Sequence, residues 1–164
     1  KGAVFHIIND AMMVACLFLV AGQIMYRSGG HRIEDFKGIF KTMPVTAAIF
    51  TIAALAIIGV PPTGGFFSKW YLLLGGIAAR QWGFVAALLI CTLINIALFF
   101  RVFDKALFKL AQTNSALGEQ SHLKEAPLTM LIPAFSLAVV IILVGIFNQV
   151  IINKLVRFSV PSGF

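Results

Sequence analysis

Residues 59–70 read GVPPTGGFFSKW and interrupt one of the most apolar stretches of the chain. Proline removes a helix hydrogen bond and clashes with the preceding turn, and glycine weakens a helix interior. The two prolines and three glycines of this stretch therefore predict a break in the helix that the flanking residues would otherwise form. A charged residue, Lys69, lies just beyond the predicted break.

The composition indicates whether the chain lies in water or in a lipid bilayer. Hydrophobic residues make up 60% of it and charged residues 12%, against about 45–50% and 25% in ordinary soluble domains. The mean hydropathy is +0.96. These values predict an integral membrane protein with an all-α fold, a polytopic bundle of transmembrane helices.

The basic residues do not indicate a nucleic-acid site. The net charge is +7, but the Lys and Arg residues fall in short clusters between apolar runs rather than on one patch. The two cysteines, Cys16 and Cys91, lie inside apolar runs, where they are expected to be small buried hydrophobes. We expect no cofactor and no metal, because no cluster of Cys or His could hold haem or an iron–sulfur centre.

Four regions are long and apolar enough to cross a bilayer, which takes about 20 residues. They are residues 3–26, 44–79 with the break at 59–66, 82–104 and 127–148. Pro44 suits the first position of a helix, where its missing N–H would be unpaired anyway. The chain opens at Lys1 without a methionine and is apolar from Ala3, so we expect residues 1–164 to be one transmembrane unit from the C-terminal part of a longer polypeptide.

Residues 44–79 could form one broken helix or two short helices joined by a turn. The basic loop residues divide seven against four in both arrangements, so the positive-inside rule does not choose between them. The 14 residues from Phe66 to Ala79 are too short to span about 30 Å alone. Length therefore favours one broken helix.

A break inside the bilayer predicts a polar interior. Backbone groups released by a break are tolerated only where they are buried in protein or line a water-filled cavity. A charged Lys69 deep in the bilayer would be costly, by about 3 to more than 10 kcal/mol, and so indicates a functional site. The alternative is a lysine that extends to the membrane surface.

The motif at 59–70 resembles that of the antiporter-like proton-channel subunits of respiratory complex I, membrane-bound hydrogenases of the hydrogenase-4 type and multisubunit Na⁺/H⁺ antiporters. The segment KGAVFHIINDAMMVACLFLVAG (1–22) is similar to the preceding helix of that family, and GGHRIEDFKGIFKTMP (29–44) is similar to its connecting loop. The resemblance covers roughly residues 1–110. It implies a discontinuous helix, broken at Gly59, Pro61, Pro62, Gly64 and Gly65.

The resemblance also implies roles for individual residues. Lys69 matches the protonatable lysine of the family's broken helix, and His6 matches the first histidine of a pattern that continues with a histidine and a lysine at four-residue intervals. Here those two positions are Asp10 and Val14. The i, i+4 spacing keeps the three on one helix face, so His6 and Asp10 are expected to take part in proton translocation with Lys69. Asp10 could instead meet interfacial water near the start of its helix.

Asn9 and Asn95 are the further residues expected in a polar interior. For Asn95 the alternative is a packing contact between helices. Family members are much longer and carry an earlier half with inverted architecture, which residues 1–164 do not include. We therefore expect either the C-terminal portion of a channel subunit or a diverged short subunit that retains one half-channel.

The leading functional hypothesis is a proton- or cation-translocating subunit of an energy-converting respiratory or hydrogenase complex. It would carry no redox centre of its own and would act inside an oxidoreductase complex such as NADH:quinone oxidoreductase. The expected partners are other membrane subunits, the lipid bilayer and H⁺ or Na⁺, and the expected location is the prokaryotic cell membrane or an energy-transducing inner membrane. The alternatives are a Na⁺/H⁺ antiporter subunit, a transporter half that dimerises, and a structural subunit whose ion path is inactive, which Val14 would allow.

Overall fold

The computed structural model of the chain describes residues 2–30, 39–107 and 125–151, and these ranges contain helices but no strands. The helices in chain order are α1 (Gly2–Ser28), α2 (Ile39–Thr42), α3 (Pro44–Ile58), α4 (Gly64–Ala78), α5 (Trp82–Leu107), α6 (Leu128–Ile146) and α7 (Asn148–Ile151). The predicted all-α fold is confirmed.

Three of these helices, α1, α5 and α6, are long and apolar enough to cross a membrane. The helix α3 is apolar but has only 15 residues, as has α4. At 1.5 Å per residue each would be about 22 Å long, short of the roughly 30 Å of a hydrocarbon core. Neither can cross the bilayer alone.

The helices α3 and α4 lie end to end beside α1. As the residue numbers rise through α3 and α4, the numbers of the α1 residues that they contact fall steadily. In a hairpin of α3 and α4 this order would reverse in α4. The contacting pairs are Gln23 with Thr46, Asn9 with Gly64, His6 with Ser68, and Gly2 with Tyr71. The two short helices therefore form one discontinuous span. The described ranges thus contain three uninterrupted spans and one discontinuous span, and the contacts favour this arrangement over two separate short spans.

Local sequence explains both ends of α3. Pro44 is its first residue, as expected. Gly59 ends the helix in the left-handed region, with φ 93° and ψ 51°, a conformation that glycine adopts without strain. A cis peptide bond joins Pro61 and Pro62, and Thr63 is extended before α4 begins.

The break is shorter than predicted, covering residues 59–63 rather than 59–66, because Gly64 and Gly65 already belong to α4. A Cβ atom at Gly65 would overlap the carbonyl group of Ala56 in α3. The missing side chain lets the first turn of α4 approach the last turns of α3 closely. Gly65 therefore serves the packing of the two half-helices rather than the interruption itself.

The helix α1 lies at the centre of the bundle and packs against α3, α4 and α6. The core contains many small side chains that let the helices approach closely, namely Ala47, Ala53, Ala54, Ala56, Ala134 and Ala138. The helix α5 packs on α3 and α4 along one side, and most of its surface is exposed. The space between α1, α4 and α5 holds the candidate site.

Candidate functional site

The break in the third span is covered by protein on two sides. On one side, Gly64 lies so close to α1 that a Cβ atom there would be 2.9 Å from Asn9 Oδ1. On the other, a Cβ atom at Gly145 of α6 would overlap the backbone of Pro62 and Thr63. Irregular backbone is tolerated within a membrane when it is buried in protein, and glycines on two helices provide that cover.

Several polar backbone groups at the break have hydrogen-bond partners. The N–H and the hydroxyl group of Thr63 both donate to the Val60 carbonyl, at 3.1 and 2.7 Å. Asn9, only 2% exposed, donates from Nδ2 to the Gly64 carbonyl at 3.2 Å. Asn9 thus lies in the interior, where its amide supports the first turn of α4.

Lys69 turns back onto the end of α3. Its Nζ donates to the Ile57 carbonyl at 2.5 Å and to the Ile58 carbonyl at 3.3 Å. The last carbonyl groups of a helix have no partner within it and carry its negative dipole end, which favours a cation. The lysine of α4 therefore caps α3 across the break, at the middle of the span and away from both of its ends.

A cavity of about 300 Å³ lies beside this lysine. Its lining combines polar side chains from three helices with apolar ones between them. The polar residues of the lining are His6, Asp10, Lys69, Cys91, Thr92 and Asn95. The structure thus brings together four of the residues singled out in the sequence, His6, Asp10, Lys69 and Asn95, although they lie on three separate helices.

Lys69 also lines a second cavity, of about 160 Å³. Gly59, Trp70 and Thr92 are among its other lining residues. The side chain of Lys69 is half-buried and borders both spaces. A group in this position can meet water or ions from either of them.

His6 is linked to α4 through Ser68. The distance from His6 Nδ1 to Ser68 Oγ is 3.0 Å, and Ser68 Oγ lies 3.0 Å from the Gly65 carbonyl oxygen. Ser68 is fully buried, whereas His6 is half-buried. The imidazole is therefore held at a fixed position relative to the first turn of α4.

Asp10 is exposed on the surface of this chain, although it lines the same cavity. Its neighbour Asn9 contacts Gly64 at the break, so Asp10 lies at the level of the break in the third helical span. Val14, one turn further along α1, is 37% exposed and does not line the cavity.

Sequence reasoning missed Ser68, Thr92 and Cys91 as parts of the site. Ser68 could have been found from its place in the motif, since it is a small polar residue directly before Lys69. No sequence motif marks Thr92 as part of the site. Its hydroxyl donates to the Leu88 carbonyl of its own helix at 2.9 Å. In the described ranges, no three His, Cys, Asp or Glu side chains come together as a metal site would require.

A second polar cluster joins α1 and α3 to the start of α6. The Glu125 carboxylate accepts hydrogen bonds from the Val45 N–H, the Thr46 N–H and the Thr46 hydroxyl, at 3.1, 3.2 and 2.6 Å. Gln23 donates to the Met130 carbonyl at 2.7 Å. This cluster lies at the opposite end of α3 from Lys69 and caps that helix.

Comparison with known proteins adds to this geometry. The family described as NADH:quinone oxidoreductase/Mrp antiporter, transmembrane, matches residues 1–95. NADH-quinone oxidoreductase subunit N of Desulforudis audaxviator (strain MP104C) is 39% identical over 167 aligned residues, covering 98% of this chain and 33% of the relative. A protein of Staphylococcus aureus (strain N315) named "Putative antiporter subunit mnhD2" is 30% identical, covering 93% of this chain and 30% of the relative.

A solved structure has the same fold. A chain of the Mrp complex from Dietzia sp. DQ12-45-1b aligns with a TM-score of 0.78 and 20% identity, over 92% of this chain and 35% of that one. The present chain thus spans about a third of the length of the relatives it matches. The match over residues 1–95 includes α1, the broken span and the first half of α5, which together line the cavity. The chain belongs to the NADH:quinone oxidoreductase/Mrp antiporter transmembrane family.

Proposed function

We propose that this chain is part of a proton-translocating subunit of a multisubunit, energy-converting membrane complex, with Lys69 as its protonatable residue and with His6 and Asp10 beside it. The observation that carries the proposal is the position of the Lys69 amine. It lies on the free carbonyl groups of a helix broken at mid-span, and it borders a cavity that also holds His6 and Asp10.

The chemistry of translocation requires a group that can both gain and lose a proton at one place. The carbonyl groups of Ile57 and Ile58 accept hydrogen bonds from the amine whether it is charged or neutral, and the dipole end of α3 favours the charged form. The surrounding apolar residues favour the neutral form. Small changes around Lys69 could therefore move a proton onto it or away from it.

Three further features support the proposal. Lys69 borders two cavities, so protons could reach it from one and leave through the other. Asp10, an exposed carboxylate at mid-span, would be costly against lipid and fits a place where water or another protein helix covers it. Relatives of the chain include a subunit of NADH-quinone oxidoreductase.

The test is Lys69→Met in the full-length subunit within its parent complex. We expect assembly to persist, because an apolar side chain suits this place, and proton translocation in inverted membrane vesicles to fall at least tenfold. Lys69→Arg should fail as well, since a guanidinium does not release its proton at accessible pH. Lys105→Met is the matched control, because it removes a lysine from the last turn of α5, away from the cavity.

Full translocation by an assembled Lys69→Met complex would contradict the proposal. It would favour a structural subunit with an inactive ion path, the alternative that Val14 allows. A second candidate function, a Na⁺/H⁺ antiporter subunit, is favoured by the 30% identity to an antiporter subunit. Repeating the assay with an imposed Na⁺ gradient distinguishes the two ions, and Lys69→Met should then abolish the proton flux that this gradient drives.

A further inference from the structure

The hydroxyl group of Ser68 lies between the imidazole of His6 and the first turn of α4. Its oxygen lies 3.0 Å from both His6 Nδ1 and the Gly65 carbonyl oxygen. A carbonyl oxygen can only accept, so a hydrogen bond between these two oxygens uses the single hydroxyl proton of Ser68. That proton is then unavailable to His6, and a hydrogen bond at Nδ1 uses a proton carried by Nδ1 itself.

We propose that Ser68 is a positioning residue that holds His6 in the Nδ1–H tautomer, so that Nε2 is the nitrogen that gains and loses protons in the cavity. In a neutral imidazole one nitrogen donates and the other accepts, and in the cation both donate. The hydrogen bond from Nδ1 to Ser68 is the same in both forms. His6 can therefore change its charge without any rearrangement of α1 against α4.

The burial of Ser68 supports this assignment. Ser68 has no exposed surface, so water does not compete for its hydroxyl group. Among the described residues, His6 Nε2 has no hydrogen-bond partner, and the ring lines the cavity shared with Asp10 and Lys69. The consequence for transport rests on the proposed function of Lys69, whereas the tautomer itself does not depend on that function.

The first test is ¹⁵N NMR on the full-length, histidine-labelled protein in its complex, with the His6 signals assigned as those lost in His6→Gln. Protonated and unprotonated ring nitrogens resonate well apart, so the spectrum reports the tautomer directly. In the wild type we expect Nδ1 to be protonated when the ring is neutral. In Ser68→Ala the buried Nδ1–H loses its acceptor, and we expect the neutral ring to change to the Nε2–H tautomer.

The second test measures translocation in the same variants. We expect Ser68→Ala to lower the rate about tenfold, the equivalent of roughly 1.4 kcal/mol. Ser136→Ala is the matched control, because the Ser136 hydroxyl also donates to the carbonyl three residues earlier, Pro133, but contacts no histidine. We expect this control to keep both the rate and the His6 spectrum of the wild type. Ser68→Thr retains the hydroxyl and should retain the tautomer.

An Nε2–H tautomer in the wild type would overturn the inference, and so would an unchanged spectrum in Ser68→Ala. If Ser68→Ala does not assemble, Ser68→Thr decides: a variant that assembles with the Nε2–H tautomer contradicts the inference. A normal rate in Ser68→Ala, with translocation lost in Lys69→Met, would overturn the positioning role and leave the proposed function intact. Normal translocation in Lys69→Met would overturn the proposed function instead, while the spectrum still tests the tautomer.

Discussion

Gly65→Ala should separate the two half-helices and destabilise the protein. The new Cβ atom would overlap the Ala56 carbonyl group and lie 3.0 Å from Met13 Sδ. The methionine can move, because its side chain is flexible, but the carbonyl belongs to the backbone of α3. The helix α4 would have to shift by more than an ångström, and overpacking of this kind costs about 3 kcal/mol or more.

The shift would also reach Lys69, which lies one turn further along α4 and donates to the carbonyl group next to Ala56, that of Ile57. The assay is the thermal unfolding midpoint of the purified complex, together with its yield. For a unit of 150–250 residues, 3 kcal/mol corresponds to a decrease of roughly 6–12 °C, and the decrease is smaller in a longer chain, so we expect a shift of about a few degrees. Proton translocation should fall in parallel, because the capping contact of Lys69 is lengthened.

Gly75→Ala is the control, because it makes the same chemical change in the same helix at a position where no atom outside the local helix backbone lies within 4 Å of the new Cβ. Alanine favours a helix over glycine by up to about 1 kcal/mol, so this variant should be as stable as the wild type or slightly more so. A Gly65→Ala complex that unfolds at the same temperature as Gly75→Ala would show that α3 and α4 are not in close contact at the break.

Two further predictions concern hydrogen bonds that join distant segments. Glu125→Ala removes the acceptor of three hydrogen bonds at the start of α3. It should lower the free energy of unfolding by about 1–3 kcal/mol, measured as a lower unfolding midpoint. Glu125→Gln keeps an oxygen acceptor and should recover part of the lost stability, and equal losses in both variants would refute the capping role. Asn9→Ala removes the buried side-chain donor to the Gly64 carbonyl and its close packing against Gly64. It should cost about 1–3 kcal/mol, whereas the exposed neighbour variant Ile8→Ala should cost less than about 1 kcal/mol. A reversed order in unfolding midpoints would contradict the role of Asn9 at the break.

The ends of the helices could be predicted from the sequence because they depend on neighbouring residues. Pro44 starts α3 and Gly59 ends it in a conformation that favours glycine, as the sequence indicated. The three uninterrupted spans follow from the length of their apolar runs, since a bilayer requires about 20 such residues. The extent of the break was overestimated, because the glycines at 64 and 65 were counted as part of the interruption although contact with Asn9 and Ala56 makes them part of α4.

The site residues were predicted in part. Lys69 stands out as a charge in an apolar run, and His6 and Asp10 share a helix face through their spacing. The cavity that these residues share could not be predicted from local spacing, because α5 contributes Asn95 and Thr92 to it from a distant part of the chain. Ser68 was missed, since its importance comes from a contact with a residue 62 positions away.

The sequence by itself thus indicated that this protein lies in a membrane, and it indicated the helical runs and the place of the break. All three depend on composition and on backbone preferences over a few residues. Only the tertiary structure decided that α3 and α4 form one span, that Lys69 caps α3 and that Glu125 caps the same helix at its other end. Partners such as Thr46 and Glu125, 79 residues apart, meet only when the helices pack, and the register of that packing depends on side-chain shapes along whole helices rather than on any local pattern.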